Sequence, residues 1–218
     1  MEIKFFTGLQ FSDLGFLGEA ALKTLMVSGV AIGAGTLLGI LFGWILYQGR
    51  WVAAASLGLV LDAFRSVPLI IQLVLFFNLF PILGLPLEPF TAGAIVLAFY
   101  TSALVASIVQ GGIEAVEKPM RRAARSLGMS YWQDMIYVVW PIGLRAVFPS
   151  WVGVALSVIK DSALVSVLGY VELLRASQIL MTRTQEPFII LSVVGAIYFA
   201  ISFPLGLYGQ HLEKKWSS

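Results

Sequence analysis

Arg65 and Asp161 are the residues whose types could do most in this chain, because Arg65 lies inside a long apolar run and Asp161 ends another. If those runs lie in a bilayer, an ionisable group inside them marks a functional site by default, since holding a charge there is costly. A guanidinium offers a planar fork that meets a carboxylate through two parallel hydrogen bonds. A carboxylate is the natural acceptor for a cation. Ser66 follows Arg65, and Pro68 just beyond it frees backbone carbonyls. Ser157 stands four positions before Asp161, on the same helical face as Val154, and Ser162 comes directly after. Arg65, Ser66, Ser157, Asp161 and Ser162 are therefore the candidate ligand contacts. A structural alternative pairs Arg65 with Asp62 and Lys160 with Asp161. Covalent or metal chemistry has little to draw on. The chain has no cysteine, and its single histidine, His211, lies among the charges of the tail, so no catalytic residue and no metal site is expected.

The elements that must position these groups follow from composition. Of 218 residues, 59% are hydrophobic and 12% charged, with a mean hydropathy of +0.90. A soluble domain of this size needs more charge to cover its surface. The chain reads as an all-α integral membrane protein with room for about five spans of roughly 20 residues. Those spans are expected at 20–48, 51–80, 89–117, 135–160 and 187–210, within a single domain of residues 1–218. In the first, Gly35, Gly39 and Gly43 form two small-xxx-small pairs, read as packing glycines. The second is interrupted by Asp62, Arg65 and Pro68. Residues 162–174 are apolar but too short to cross, and residues 176–187 read as a polar loop. The first eighteen residues lack the pattern of a cleaved signal.

Positive residues set the expected orientation. With the N-terminus outside, the inner side holds Arg50, Lys118, Arg121, Arg122, Arg125, Arg145, Lys214 and Lys215. The outer side then holds Lys4, Arg175 and Arg183, with Lys23 at the edge of the first span. The C-terminus is accordingly cytoplasmic. No basic stripe interleaved with aromatics suggests nucleic acid. No glycine loop followed by Lys-Ser or Lys-Thr suggests a bound phosphate, so ATP, if used, binds elsewhere.

A polar island runs from Glu114 to Asp134 between apolar segments. Lys118-Pro119 starts a helix, since proline is tolerated in the first turn. Ala123 and Ala124 give it a small-residue patch, and Gly128 is placed to end it in a left-handed conformation. Ser130 with Gln133 reads as a capping box opening a second helix. A helix, a glycine elbow and a helix make a compact knob, best explained as a docking surface for a soluble partner.

The spacing within this island is specific. Arg122-Ala123-Ala124, three residues, Gly128, nine residues and Val138-Val139-Trp140-Pro141 resembles the signature of permease subunits of ATP-binding cassette (ABC) importers. That signature reads Glu-Ala-Ala, three residues, Gly, nine residues, Ile-x-Leu-Pro. Phe64 to Leu69 and Lys160 to Gly169 resemble further motifs of the branch that imports polar amino acids. The resemblance implies a type I ABC importer permease fold in a bacterial inner membrane. It also implies a second permease subunit (the same or a homologous chain), two ATPase subunits holding ATP and magnesium, and a periplasmic substrate-binding protein. This chain itself would bind no cofactor and perform no chemistry. The residues facing the ATPase would be Arg122, Ala123, Ala124, Arg125, Leu127, Gly128, Met129 and Ser130, in a coupling loop of residues 118–134. An amino acid is a zwitterion, so Arg65 would meet its carboxylate and Asp161 its ammonium.

Two departures stand out. Arg122 replaces the signature's glutamate, and Ser107 and Gln110 replace an acid and a base expected in the third span. Losing both halves of an ion pair leaves no charge unpaired. The segment from Gly169 to Ala176, with Tyr170, Glu172 and Arg175, resembles the landing place of a binding protein; a helix capping the pore is the alternative. The rival function is an ion-gradient-driven secondary transporter or channel, but the paired halves with broken helices common there are not evident.

Overall fold

The computed structural model describes residue 8 and residues 10–49 and 51–217; Lys4 and Arg50, used above for orientation, lie outside them. The described residues form helices throughout, without strands.

α1 (Phe11–Gln48) is 38 residues long, so it rises about 57 Å and overshoots a hydrocarbon core of about 30 Å. It begins nine residues before the expected span, held by a capping box between Gln10 and Asp13. Its glycines press it onto α4 (Pro89–Glu114). A Cβ on Gly35 would lie 2.5 Å from Thr101 Cβ, one on Gly39 2.5 Å from Val105 Cβ, and one on Gly43 2.6 Å from the Ala106 carbonyl oxygen. These are packing glycines, and no larger residue fits.

The expected span at 51–80 is not one helix. It divides into α2 (Trp51–Ser66) and α3 (Leu69–Ile82), bent by 111°. Pro68 has no N–H to give the Phe64 carbonyl, and it steers Val67 away from helical geometry. Gln72 repairs the break, donating from Nε2 to the carbonyls of Phe64 and Val67 at 2.7 Å each.

After α4 come α5 (Lys118–Ser126) and α6 (Tyr131–Asp134). A π-helical turn, Met135–Val139, joins α6 to α7 (Trp140–Asp161), with the Trp140 N–H reaching back to the Met135 carbonyl. Pro141 lacks the donor a regular turn would need, which accounts for the wider winding. A 3₁₀ segment, Ser162–Leu168, ends at Gly169 with φ 93°. It drives Val165 into α4, where a Cβ on Gly93 would lie 2.4 Å from Val165 Cγ1.

The expected polar loop at 176–187 is mostly a helix. α8 spans Leu173–Thr184 and buries Leu173, Ala176, Ser177, Leu180 and Thr184, a helical stripe. That stripe packs against Leu17 and Ala20 of α1 and against Ile190 and Val194 of α9 (Pro187–Ser217). Its outward half is polar, which is why the segment reads as a loop. Among the described residues, four helical stretches are long and apolar enough to cross a membrane, and five if the bent α2–α3 pair counts as one.

Candidate functional site

α4 is largely buried, and its exposed side carries polar groups. Ser107 is exposed, Tyr100 is half-buried, and the Gln110 amide donates to Glu114 at 3.0 Å. Positions 100 and 107 are seven apart, so they share a face and stand about 10.5 Å apart along the axis. α2 lays Arg65 against this face at the lower-numbered end of the chain's bend. Its guanidinium donates to Ser107 Oγ and to Asp62 Oδ1. The ion pair expected as the structural alternative for Arg65 thus exists, and the site's missing acid in the third span is the serine that Arg65 touches.

Asp161, at the end of α7, lies within electrostatic reach of Tyr100 on α4. It accepts from Ser157 Oγ at 3.4 Å, as their shared helical face requires. Among the described residues no hydrogen bond or ion pair joins Arg65 to Asp161, or Lys160 to Asp161. The two charges expected to share a pocket are thus not directly bonded to each other. Ser66 is exposed at the end of α2. Ser162 is fully buried, and its hydroxyl donates to the Ile159 carbonyl at 2.7 Å at the helix break.

The knob has the expected chemistry in detail. Gly128 has φ 85°; its N–H bonds the Arg125 carbonyl, and the Met129 N–H bonds the Ala124 carbonyl. That is the paired bonding of a Schellman cap, which needs a left-handed residue at this position. Ser130 and Gln133 form the reciprocal box, with the Gln133 N–H on Ser130 Oγ at 3.3 Å and the Ser130 N–H on Gln133 Oε1 at 2.8 Å. Arg122, Ala123, Arg125, Leu127 and Ser130 are exposed, and Met129 is half-buried. Ala124 is buried under the knob while Ala123 is exposed, so the two small residues face different ways.

Sequence reasoning missed what bolts the knob down. Arg121 donates from Nε and Nη2 to Asp134 Oδ2 at 3.0 and 2.8 Å, and from Nη1 to the Tyr47 hydroxyl at the end of α1. Asp134 is fully buried. Burial opposes the Arg121 charge, but its bonds to Asp134 and Tyr47 outweigh that and hold the guanidinium above its ordinary pKa. The Tyr131 hydroxyl accepts from Trp44 Nε1 at 3.2 Å and Gln48 Nε2 at 2.7 Å, and Trp132 stacks on Trp44. These contacts fasten the knob to the end of α1. An Arg and an Asp thirteen positions apart give no local signal, so only the fold could pair them.

At the α8 corner, Glu172 is fully buried and caps its helix, accepting the N–H groups of Leu174 and Arg175 at 2.8 Å each and the Tyr198 hydroxyl at 3.2 Å. Burial dominates and pushes its carboxyl up from the usual range. Thr24 of α1 accepts the Leu173 N–H at 3.1 Å, and Arg183 pairs with Asp13. Glu172 thus N-caps α8 from within the corner, while Arg175 remains exposed.

Several apolar spans, one broken at a charged pair, with a rigid polar knob between them, define a multi-pass membrane transport component. Residues 35–218 match the binding-protein-dependent transport system inner membrane components, and the chain belongs to that family. Among curated relatives, the "Probable glutamine ABC transporter permease protein GlnP" of Bacillus subtilis is 30% identical over 92% of this chain and 93% of its own. The glutamine transport system permease protein GlnP of Escherichia coli (strain K12) is 28% identical over 90% of this chain and 91% of its own. The solved "Crystal structure of an amino acid ABC transporter with histidines" superposes with a TM-score of 0.84 at 28% identity, covering 99% of this chain and 100% of that one. The fold is that of type I ABC importer permeases.

Proposed function

We propose that this chain is one of two permease subunits, identical or homologous, of an ATP-driven importer for polar amino acids. Its N-terminus faces the periplasm and its C-terminus the cytoplasm of a bacterial cell, and its membrane is the inner one. A binding protein delivers substrate at the α8 corner. Two ATPase subunits, which carry ATP and magnesium, grip the knobs through Arg122, Ala123, Arg125, Leu127, Gly128, Met129 and Ser130. Closure of the ATPases turns the knob, and α1 with it, as a rigid body that alternates access. Arg65 and Ser66 on α2, and Ser157 and Asp161 on α7, line the path along α4 and meet the charges of the substrate.

The observation that carries this reading is the knob. A left-handed Gly128 at the signature spacing is held to the end of α1 by Arg121, Asp134 and Tyr47. A loop that only joined two spans would need no such anchoring. Relatives named as glutamine permeases support an amino acid as cargo. The test is uptake of labelled amino acids into vesicles holding this chain with the ATPase and binding protein encoded beside it. Uptake that needs ATP and all components is expected. Full uptake without the ATPase would replace this reading with a gradient-driven carrier or channel.

A further inference from the structure

Asp62 and Arg65 present opposite charges three residues apart on α2, and both are open to the surroundings. Their side chains are 60% and 36% exposed. Such a pair is not tolerated against lipid tails, so this face of α2 fronts water or a partner that leaves water beside it. Ser107, also exposed, holds the guanidinium from α4. The head group of an amino acid carries the mirror image of this pair, a carboxylate and an ammonium on a single carbon.

We propose that Asp62, Arg65 and Ser107 form a complete head-group site for a zwitterion, a proposal that rests on the amino acid importer reading above. Arg65 takes the carboxylate through its fork, Asp62 takes the ammonium, and Ser107 keeps the guanidinium in place from α4. Binding is an exchange of partners. The internal ion pair opens, two pairs to the ligand replace it, and no net charge enters the membrane. That avoids the penalty of leaving an ion uncompensated. A ligand lacking either charge leaves one of the two residues unmatched, so the site selects for zwitterions over amines or simple carboxylates. Asp161 makes no direct bond to Arg65 among the described residues, and its side-chain partner is Ser157 at 3.4 Å on its own helix. It meets another part of the substrate or another stage of its passage.

The test separates a binding pair from a merely structural one. The complete transporter, in proteoliposomes supplied with ATP and binding protein, is given a radiolabelled mixture of the L-amino acids. Variants are Asp62→Asn, Arg65→Gln, the double variant, and Arg65→Lys. For a structural pair, the double variant recovers what each single one loses, because neither charge is left alone. For a head-group site, the double variant stays down by about tenfold or more, the weight of a charged hydrogen bond. Arg65→Lys keeps the internal ion pair but loses the fork, so its maximal uptake rate falls by about tenfold with normal amounts of assembled complex. Wild-type uptake by the double variant overturns the proposal. If the double variant fails to assemble, wild-type uptake by Arg65→Lys overturns it instead. If the wild type imports no amino acid with ATP present, the importer reading itself is what falls.

Discussion

Removing Arg121 should release the knob. Asp134 is fully buried, its Oδ2 takes both of its hydrogen bonds from Arg121, and its Oδ1 has no partner among the described residues. Arg121→Ala therefore strands a buried carboxylate and leaves the Tyr47 hydroxyl without its guanidinium. Deleting one partner of a buried pair costs about 3–5 kcal/mol. The Arg121 side chain is 15% exposed and borders an open basin, so water can reach part of the site and the lower end, about 3 kcal/mol, applies. At 1.4 kcal/mol per tenfold, local opening of the knob should rise by about 100-fold. Hydrogen exchange of the amides in residues 118–134 reads that opening directly. A second variant, Arg121→Met with Asp134→Leu, removes both charges and should keep most of the protection, since neither is left alone. Coupling should follow protection: ATP hydrolysis without uptake in Arg121→Ala, restored in the double variant. Unchanged exchange across residues 118–134 in Arg121→Ala would refute the anchoring argument.

Gly128→Val should abolish uptake while leaving insertion and assembly intact, because a β-branched residue at φ 85° costs about 1–2 kcal/mol and undoes the Schellman cap; normal uptake would remove the elbow from the mechanism. Gly39→Leu should cut the yield of folded protein sharply, as even its Cβ would sit 2.5 Å from Val105 Cβ, whereas Gly33→Leu, with nothing within 4 Å, should be tolerated when both are compared by detergent thermal melts. Glu172 gives a pH test. Its folded pKa is raised, so its contribution to stability is largest at or below the ordinary glutamate range and is lost as pH rises through the folded value. Acidification from neutrality should therefore raise the melting temperature of the wild type relative to Glu172→Gln; a difference moving the other way would contradict the burial argument.

The knob was legible in the sequence because its determinants are local. A proline in the first turn, a glycine two residues past the last helical one, and a serine three before a glutamine each act through the backbone within a few positions. The α2–α3 break was half legible. Pro68 announces a fault, but its 111° outcome depends on Gln72 capping the freed carbonyls and on α4 receiving both halves. α8 was misread because its burial is supplied by α1 and α9, which lie far away in sequence.

Composition and spacing alone determined that the chain is a membrane-spanning helical protein, placed its knob, and pointed to Arg65 and Asp161, because hydropathy, caps and charge cost are properties of neighbours along the chain. Which charges meet was decided only by the tertiary structure. Arg121 found Asp134 and Tyr47, Glu172 found Thr24 and Tyr198, and Arg65 found Ser107 rather than Asp161. The physical reason is that electrostatic partnership depends on separation in space, and helix packing, not sequence distance, sets that separation.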